Sequence, residues 1–110
     1  MSKPPLPLLQ GTLDLLVLRS LTGGSMHGFG IAALVGRLTD QALAIEDAAL
    51  YQALHRLDHR GLIEAEWRPS DNNRRARYYT LTPAGRQRLR QETANWRRYS
   101  RAVEAVLQGA

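Results

Sequence analysis

The stretch Ala49-Leu50-Tyr51-Gln52-Ala53-Leu54-His55-Arg56-Leu57-Asp58-His59-Arg60-Gly61-Leu62-Ile63-Glu64-Ala65-Glu66-Trp67-Arg68 changes its hydrophobic period part-way, and that change decides the fold. Up to Arg60 the apolar residues Leu50, Ala53, Leu54 and Leu57 fall within about a third of a circumference at 100° per residue, the buried stripe of a helix. Tyr51 then lies at the boundary, and Gln52, His55, Arg56 and His59 point outward. Glu46-Asp47 can cap this helix and complement its dipole, and Gly61 supplies a left-handed C-terminal residue, so the helix is expected over about 47–60. From Ile63 the period becomes two. Ile63, Ala65 and Trp67 alternate with Glu64, Glu66 and Arg68, and further on Tyr79 and Leu81 alternate with Tyr78 and Thr80. This predicts a β-hairpin whose tip, roughly Pro69 to Ala76 within a basic wing of about 69–77, carries Asn72-Asn73-Arg74-Arg75, polar and turn-forming with clustered cations.

Beyond the hairpin, Thr82-Pro83 opens a last helix, Thr as the N-cap and Pro at the first helical position, where its missing N–H costs nothing. Leu89, Trp96 and Val103 recur every seven residues, with Tyr99, Val106 and Leu107 beside them, the spacing of a seam between two helices. Upstream, Met1 to Leu9 is Pro-rich and reads as an extended arm. Leu13, Leu15, Leu16, Val17, Leu18 and Leu21 cover nearly every side of a first helix that stops at Gly23-Gly24. A helix apolar all round must be buried on two sides, one against its own domain and the other against a partner subunit. Ser25 is the expected N-cap of a second helix running to about Thr39, with Phe29, Ile31, Ala32, Leu34, Val35 and Leu38 as its inward stripe. Leu43-Ala44-Ile45 reads as a brief strand.

A chain of 110 residues fits one small domain whose core is marginal without a partner. The absence of Cys excludes a disulfide framework and a thiolate metal cluster and points to the reducing cytoplasm. The N-terminal segment falls far short of a signal-peptide core or a membrane span. Residues 1–66 hold 5 basic and 7 acidic side chains, whereas residues 67–110 hold 10 and 3, so the net charge of +5 belongs to the second half. Of the 15 cations 14 are Arg, and the planar five-donor guanidinium suits bidentate contact with phosphate or guanine edges. A polyanion partner follows from this, with an Arg-rich solvated surface as the plainer reading.

Competing chemistry finds little support. Gly28-Phe29-Gly30-Ile31-Ala32-Ala33 fits G-x-G-x-x-A on paper, but the dinucleotide motif follows a strand, and here a helix and a Gly-Gly turn are expected before it. Small residues that allow close helix packing explain it better. His55 and His59 lie four apart on one helical face, as zinc ligands can, without a third ligand or a Cys, so they read as groove-facing or simply solvated. Paired carboxylates, a nucleophile elbow and a P-loop are all missing, so no enzyme, cofactor or metal is expected.

The predicted order of helix, helix, short strand, helix and hairpin is that of a winged helix-turn-helix: mainly α with a β-hairpin wing, the third helix in the major groove and the hairpin tip along the backbone. Residues 1–82 form the head, with 1–9 as the arm, and residues 83–110 the dimerisation helix. Four segments carry a further resemblance: Leu9-Gln10-Gly11-Thr12-Leu13-Asp14-Leu15-Leu16-Val17-Leu18, Met26-His27-Gly28-Phe29-Gly30-Ile31, Ala49-Leu50-Tyr51-Gln52-Ala53-Leu54-His55-Arg56-Leu57, and Arg74-Arg75-Ala76-Arg77-Tyr78-Tyr79-Thr80-Leu81-Thr82. In that order, and spanning nearly the whole chain, they resemble the PadR-like transcriptional regulators, in particular the short type with a single C-terminal helix.

The resemblance implies a homodimer of two winged-helix heads joined by C-terminal helices, acting as a repressor on a palindromic operator in double-stranded DNA. It also implies that Tyr51 and its outward neighbours sit at the groove while the basic wing grips phosphate. Gln52 stands where family members commonly have Pro after the Tyr; Gln can pair bidentately with adenine and Pro cannot. In short members the region between the C-terminal helices can open into a pocket for flat aromatic ligands, which extends to Trp96 an effector role beside that of an interface anchor. Arg97, Arg98 and Arg101 around it suit an anionic phenolic acid better than a cation. The expected DNA contacts are therefore Tyr51, Gln52, His55 and Arg56 on the helix and Arg74, Arg75 and Arg77 on the wing, although Arg77 can instead pair with Glu64 or Glu66 across the hairpin. The expected dimer contacts are Leu89, Trp96, Val103 and Leu107. Two other functions remain open from sequence: an architectural nucleic-acid binder without sequence preference, and a basic adaptor that uses the long helix to bind another protein.

Overall fold

The computed structural model describes residues 4–9, 11–69, 72 and 74–109. In chain order it has α1 (Thr12–Ser20) continued by a 3-10 turn (Leu21–Gly23), β1 (Met26–His27), α2 (Gly28–Leu38), α3 (Asp47–His59), β2 (Ile63–Pro69), β3 (Arg75–Leu81) and α4 (Pro83–Gly109). The sheet is antiparallel, in the order β1-β3-β2, and its two long strands pair from Ile63↔Leu81 to Pro69↔Arg75. This is the mainly helical winged architecture that the periodicity predicts. The strands run into the expected tip: β2 reaches Pro69 and β3 begins at Arg75, because Pro69 and Arg75 still pair, so Arg75, Ala76 and Arg77 are strand residues. Residues 1–3 of the expected arm, and Ser70, Asp71 and Asn73 of the expected wing, lie outside the described residues. Within the arm, Leu6 lies parallel to Leu43 in an isolated bridge, and its N–H donates to the Ala42 carbonyl (2.8 Å).

The third strand is not where the sequence placed it. Leu43-Ala44-Ile45 contributes only that isolated bridge, and the short strand is Met26–His27, which pairs with Tyr79 and Tyr78. Its two residues are too few to show an alternation, and only β3 alongside makes them a strand. The start of α2 moves with it. The N-cap is His27, whose Nδ1 accepts from the Gly30 N–H (3.0 Å), while the Ser25 hydroxyl instead accepts from Arg68 Nη1 (3.0 Å). Gly28-Phe29-Gly30 does therefore follow a strand, but an edge strand of an antiparallel sheet rather than the parallel β-α-β unit of a dinucleotide site. Gly28 is buried, with Leu50, Leu54 and Tyr51 of α3 around it, as close helix packing requires.

Two residues of the α2 stripe are corrected. Phe29 is 80% exposed: at 100° per residue it lies about 160° from Ile31, on the far side of the helix. Leu38 shares the inward side, yet it is 76% exposed because it sits at the end of the helix, past the core. The core itself is built from Val17, Leu18, Leu21, Ile31, Val35, Leu50, Leu54, Leu57, Ile63, Tyr79 and Leu81, with Leu13, Leu15 and Leu16 of α1 only partly buried against it. Burial pushes the Tyr79 hydroxyl above its ordinary titration range, an effect that the cation of Arg77 partly offsets.

The first two turns of α4 also belong to this core. Gly85 and Leu89 are buried, and Leu89, expected in the dimer seam, is only 8% exposed within its own head. The heptad face is thus shared: the same side of α4 that closes the head at Leu89 continues outward as Trp96 and Val103. Thr82 ties the junction. Its hydroxyl donates to the Gly61 carbonyl (2.7 Å) and accepts from the Gly85 N–H (3.0 Å), while its own N–H donates to the Leu62 carbonyl (3.2 Å). One residue therefore caps α4 and closes the left-handed exit from α3, where Gly61 has φ +75°. Thr82→Ala is expected to lose about 1–2 kcal/mol, a fall of roughly 4–16 °C in melting temperature by circular dichroism, with Thr82→Ser close to the parent.

Candidate nucleic-acid interface

The four groove residues expected on α3 do share one surface: Tyr51, Gln52, His55 and Arg56 line a single shallow depression on the exposed face of the helix. That face exists because Leu50, Ala53, Leu54 and Leu57 are all within 2% of complete burial on the other side. The rings of His55 and His59 lie nearly parallel with centroids 6.5 Å apart. Among the described residues no group of three or more His, Cys, Asp or Glu could hold a metal ion. Arg56 is not a free cation, since its Nη2 lies 2.7 Å from Asp14 Oδ1 of α1, so one edge of the guanidinium already braces α3.

Beside this face a cleft of about 840 Å³ separates α3 from the wing. Tyr51, His55 and Asp58 line its helix side, and Trp67, Asn72, Arg75 and Arg77 its wing side. His27, the N-cap of α2, and Phe29 in its first turn also line it. The pleat explains the wing's contribution: Ile63, Ala65 and Trp67 share one face of β2, and beyond the core that face no longer meets α3, so Trp67 is left 56% exposed. Arg75 lies opposite Pro69 and Arg77 opposite Trp67 on the same face. The Arg77 guanidinium is 5.8 Å from the Trp67 ring centre and 3.9 Å from Asp58 Oδ2. The pairing of Arg77 with Glu64 or Glu66 held open by the sequence is therefore replaced by one with Asp58 of α3; Glu66 pairs with Arg68, which also lies over the Tyr78 ring. Arg74 is exposed at the mouth of β3.

Sequence reasoning missed Phe29, Trp67, His27 and Asp58 as parts of this cleft. Phe29 was legible from its helical angle. Trp67 was not, because alternation fixes the face of a strand but not the point at which its neighbour ends. The expected dimer and effector residue Trp96 stands apart on α4, stacked with Tyr99 at 6.4 Å, with Val103 and Leu107 further along. No helix among the described residues is long and apolar enough to cross a membrane.

Residues 17–91 match the model of the Transcriptional regulator PadR-like family, from the end of α1 through the wing into α4. The chain belongs to the PadR-like family. A transcriptional regulator from Clostridium thermocellum is 26% identical and superposes with a TM-score of 0.79 over 86% of this chain and 92% of its own. A PadR family regulator from Eggerthella lenta is 33% identical, with a TM-score of 0.74 over 92% and 86%. Bacillus subtilis PadR, solved in complex with operator DNA, shares the fold at 24% identity and a TM-score of 0.66, over 73% of this chain and 45% of its own. PadR-like proteins are transcriptional regulators rather than enzymes, and the winged head described above is their DNA-binding fold.

Proposed function

We propose that this PadR-like regulator is a homodimeric cytoplasmic repressor that binds a palindromic operator, α3 in the major groove and the β2–β3 wing on the flanking backbone. The observation that carries this reading is the placement of the exposed face of α3 and the cationic face of the wing on two sides of one open cleft. A helix and a hairpin so disposed can straddle a phosphodiester strand, the helix reading base edges and the wing neutralising phosphates. The operator complex of Bacillus subtilis PadR supports the same partner. Tyr51, Gln52 and His55 read bases; Arg74, Arg75 and Arg77 hold phosphate; Arg56, already bound to Asp14, orients the helix. Residues 1–82 with the first turns of α4 form the head, and the rest of α4 joins two heads through Trp96, Val103 and Leu107. A flat aromatic effector entering between the α4 helices at Trp96 would change how the heads are set and release the operator.

Nuclease footprinting on the DNA upstream of its own gene tests the reading. A discrete palindrome should be protected; broad protection would mark an architectural binder, and none an adaptor. On the protected duplex Gln52→Ala is expected to weaken binding roughly 5- to 150-fold, with little change on random DNA. Arg75→Ala should weaken both duplexes alike and lower the salt slope by about one. Equal slopes for Arg75→Ala and the parent would remove the wing from the interface.

A further inference from the structure

The cleft between α3 and the wing contains a group that DNA contact does not require, a carboxylate. Asp58 lines the cleft from the last turn of α3, its side chain 40% exposed, with Oδ2 3.9 Å from Arg77 Nη2. An acid in the path of a polyanion weakens binding to every sequence, so its presence there needs a reason. Its partner supplies one. Arg77 is laid against Trp67 directly across the hairpin and bridges to Asp58, so the pair links the wing to the recognition helix. Arg75, two residues away on the same face, makes no ion pair among the described residues.

We propose that Asp58 is a specificity-determining residue of the DNA interface, holding Arg77 on α3 so that the wing's inner cation passes to a phosphate only when a backbone strand is seated in the cleft. The role rests on the DNA-reading function proposed above. An ion pair this long and this exposed is weak, so a well-placed phosphate displaces the carboxylate readily. Once displaced, Asp58 faces the strand unpaired, and the base contacts of Tyr51, Gln52 and His55 offset that repulsion only on a cognate site. On other sequences the strand is not drawn in, Arg77 stays with Asp58, and the two together contribute no net charge. In the free protein the Trp67 ring, 5.8 Å from the guanidinium, helps to keep it in the cleft.

Salt titrations of the full chain on a random-sequence duplex and on the footprinted duplex test this, with melting temperatures taken for every variant. Asp58→Asn leaves one more unopposed cation, which adds about 0.9 to the slope and tightens random-duplex binding about eightfold at 0.1 M salt. Cognate binding tightens less, so the specificity ratio falls. In the Arg77→Ala background the same substitution should gain under threefold. Asp40→Asn, an equal change of net charge in the turn beyond the other end of α2, should leave the slope unaltered. An unchanged slope for Asp58→Asn overturns the role, as does a gain of the same size without Arg77, or one matched by Asp40→Asn. If the unmodified protein binds neither duplex, the DNA-reading function itself fails and takes this role with it; binding with an unresponsive Asp58→Asn removes the role alone.

Discussion

Gly85→Ala is expected to destabilise the protein by about 3 kcal/mol or more, lowering the melting temperature by roughly 12 °C or more. A Cβ built at Gly85 would stand 2.0 Å from the Leu62 carbonyl oxygen and 2.8 Å from Leu81 Cδ1. The first obstacle is backbone and cannot rotate away. Relief therefore requires the start of α4 to move off the loop that leaves α3, and that movement stretches the Thr82 hydrogen bonds to Gly61 and Leu62 together. Gly23→Ala is the matching control, since nothing lies within 4 Å of the added methyl and its backbone is unstrained; it should melt within about 2 °C of the parent. A Gly85→Ala protein that melts like this control would show that the approach of α4 to Leu62 is not a fixed contact.

Trp96→Ala is expected to raise the dimer dissociation constant about 30-fold or more, measured by sedimentation equilibrium over a range of concentrations. Beyond Leu89 the apolar face of α4 leaves the head: Trp96 is 40% exposed, Val103 41% and Leu107 69%. A helix that carries such a stripe into solvent gains most from burying its largest side chain, and Trp96 with the stacked Tyr99 offers the widest apolar area on it. The effector role is read separately, in a Trp67→Phe background, because the chain has 2 Trp. There, planar aromatic acids should quench the Trp96 emission. A tight Trp96→Ala dimer, together with no quenching by any aromatic tried, would eliminate both roles.

The parts of the fold that were legible in the sequence were those whose signal is local to one segment. The α3 stripe and the hairpin alternation each rest on several residues repeating one geometric rule, and the Thr82-Pro83 start of α4 on a local capping signal; α3 and α4 begin where these put them, while the strands run further into the expected tip, to Pro69 and from Arg75. What the sequence concealed were features that depend on a second segment. Met26–His27 becomes a strand only through β3, and His27 displaces Ser25 as the cap because that pairing fixes where α2 begins. Leu89 reads as a seam residue from its heptad spacing, yet it is claimed by its own head because the hairpin delivers α4 back onto α1 and the core. In the candidate site, the outward residues of α3 and the cations of the wing were both visible. The pairings of Arg56 with Asp14 and Arg77 with Asp58 were not, since each joins residues brought together only by the fold.

The central position of β3 in the sheet has a mechanical consequence. One edge of β3 is bonded to β2, and the other holds Met26 and His27, the residues that lead directly into α2. The hairpin therefore cannot swing relative to the helix pair without unzipping β1, and Arg77 and Asp58 span the remaining gap. Each head is a jaw without an internal joint. In the dimer of such heads proposed above, a signal received on α4 would have to reach DNA as a change in the distance and tilt between two rigid jaws, set against the fixed helical repeat of the duplex, about 34–36 Å per turn.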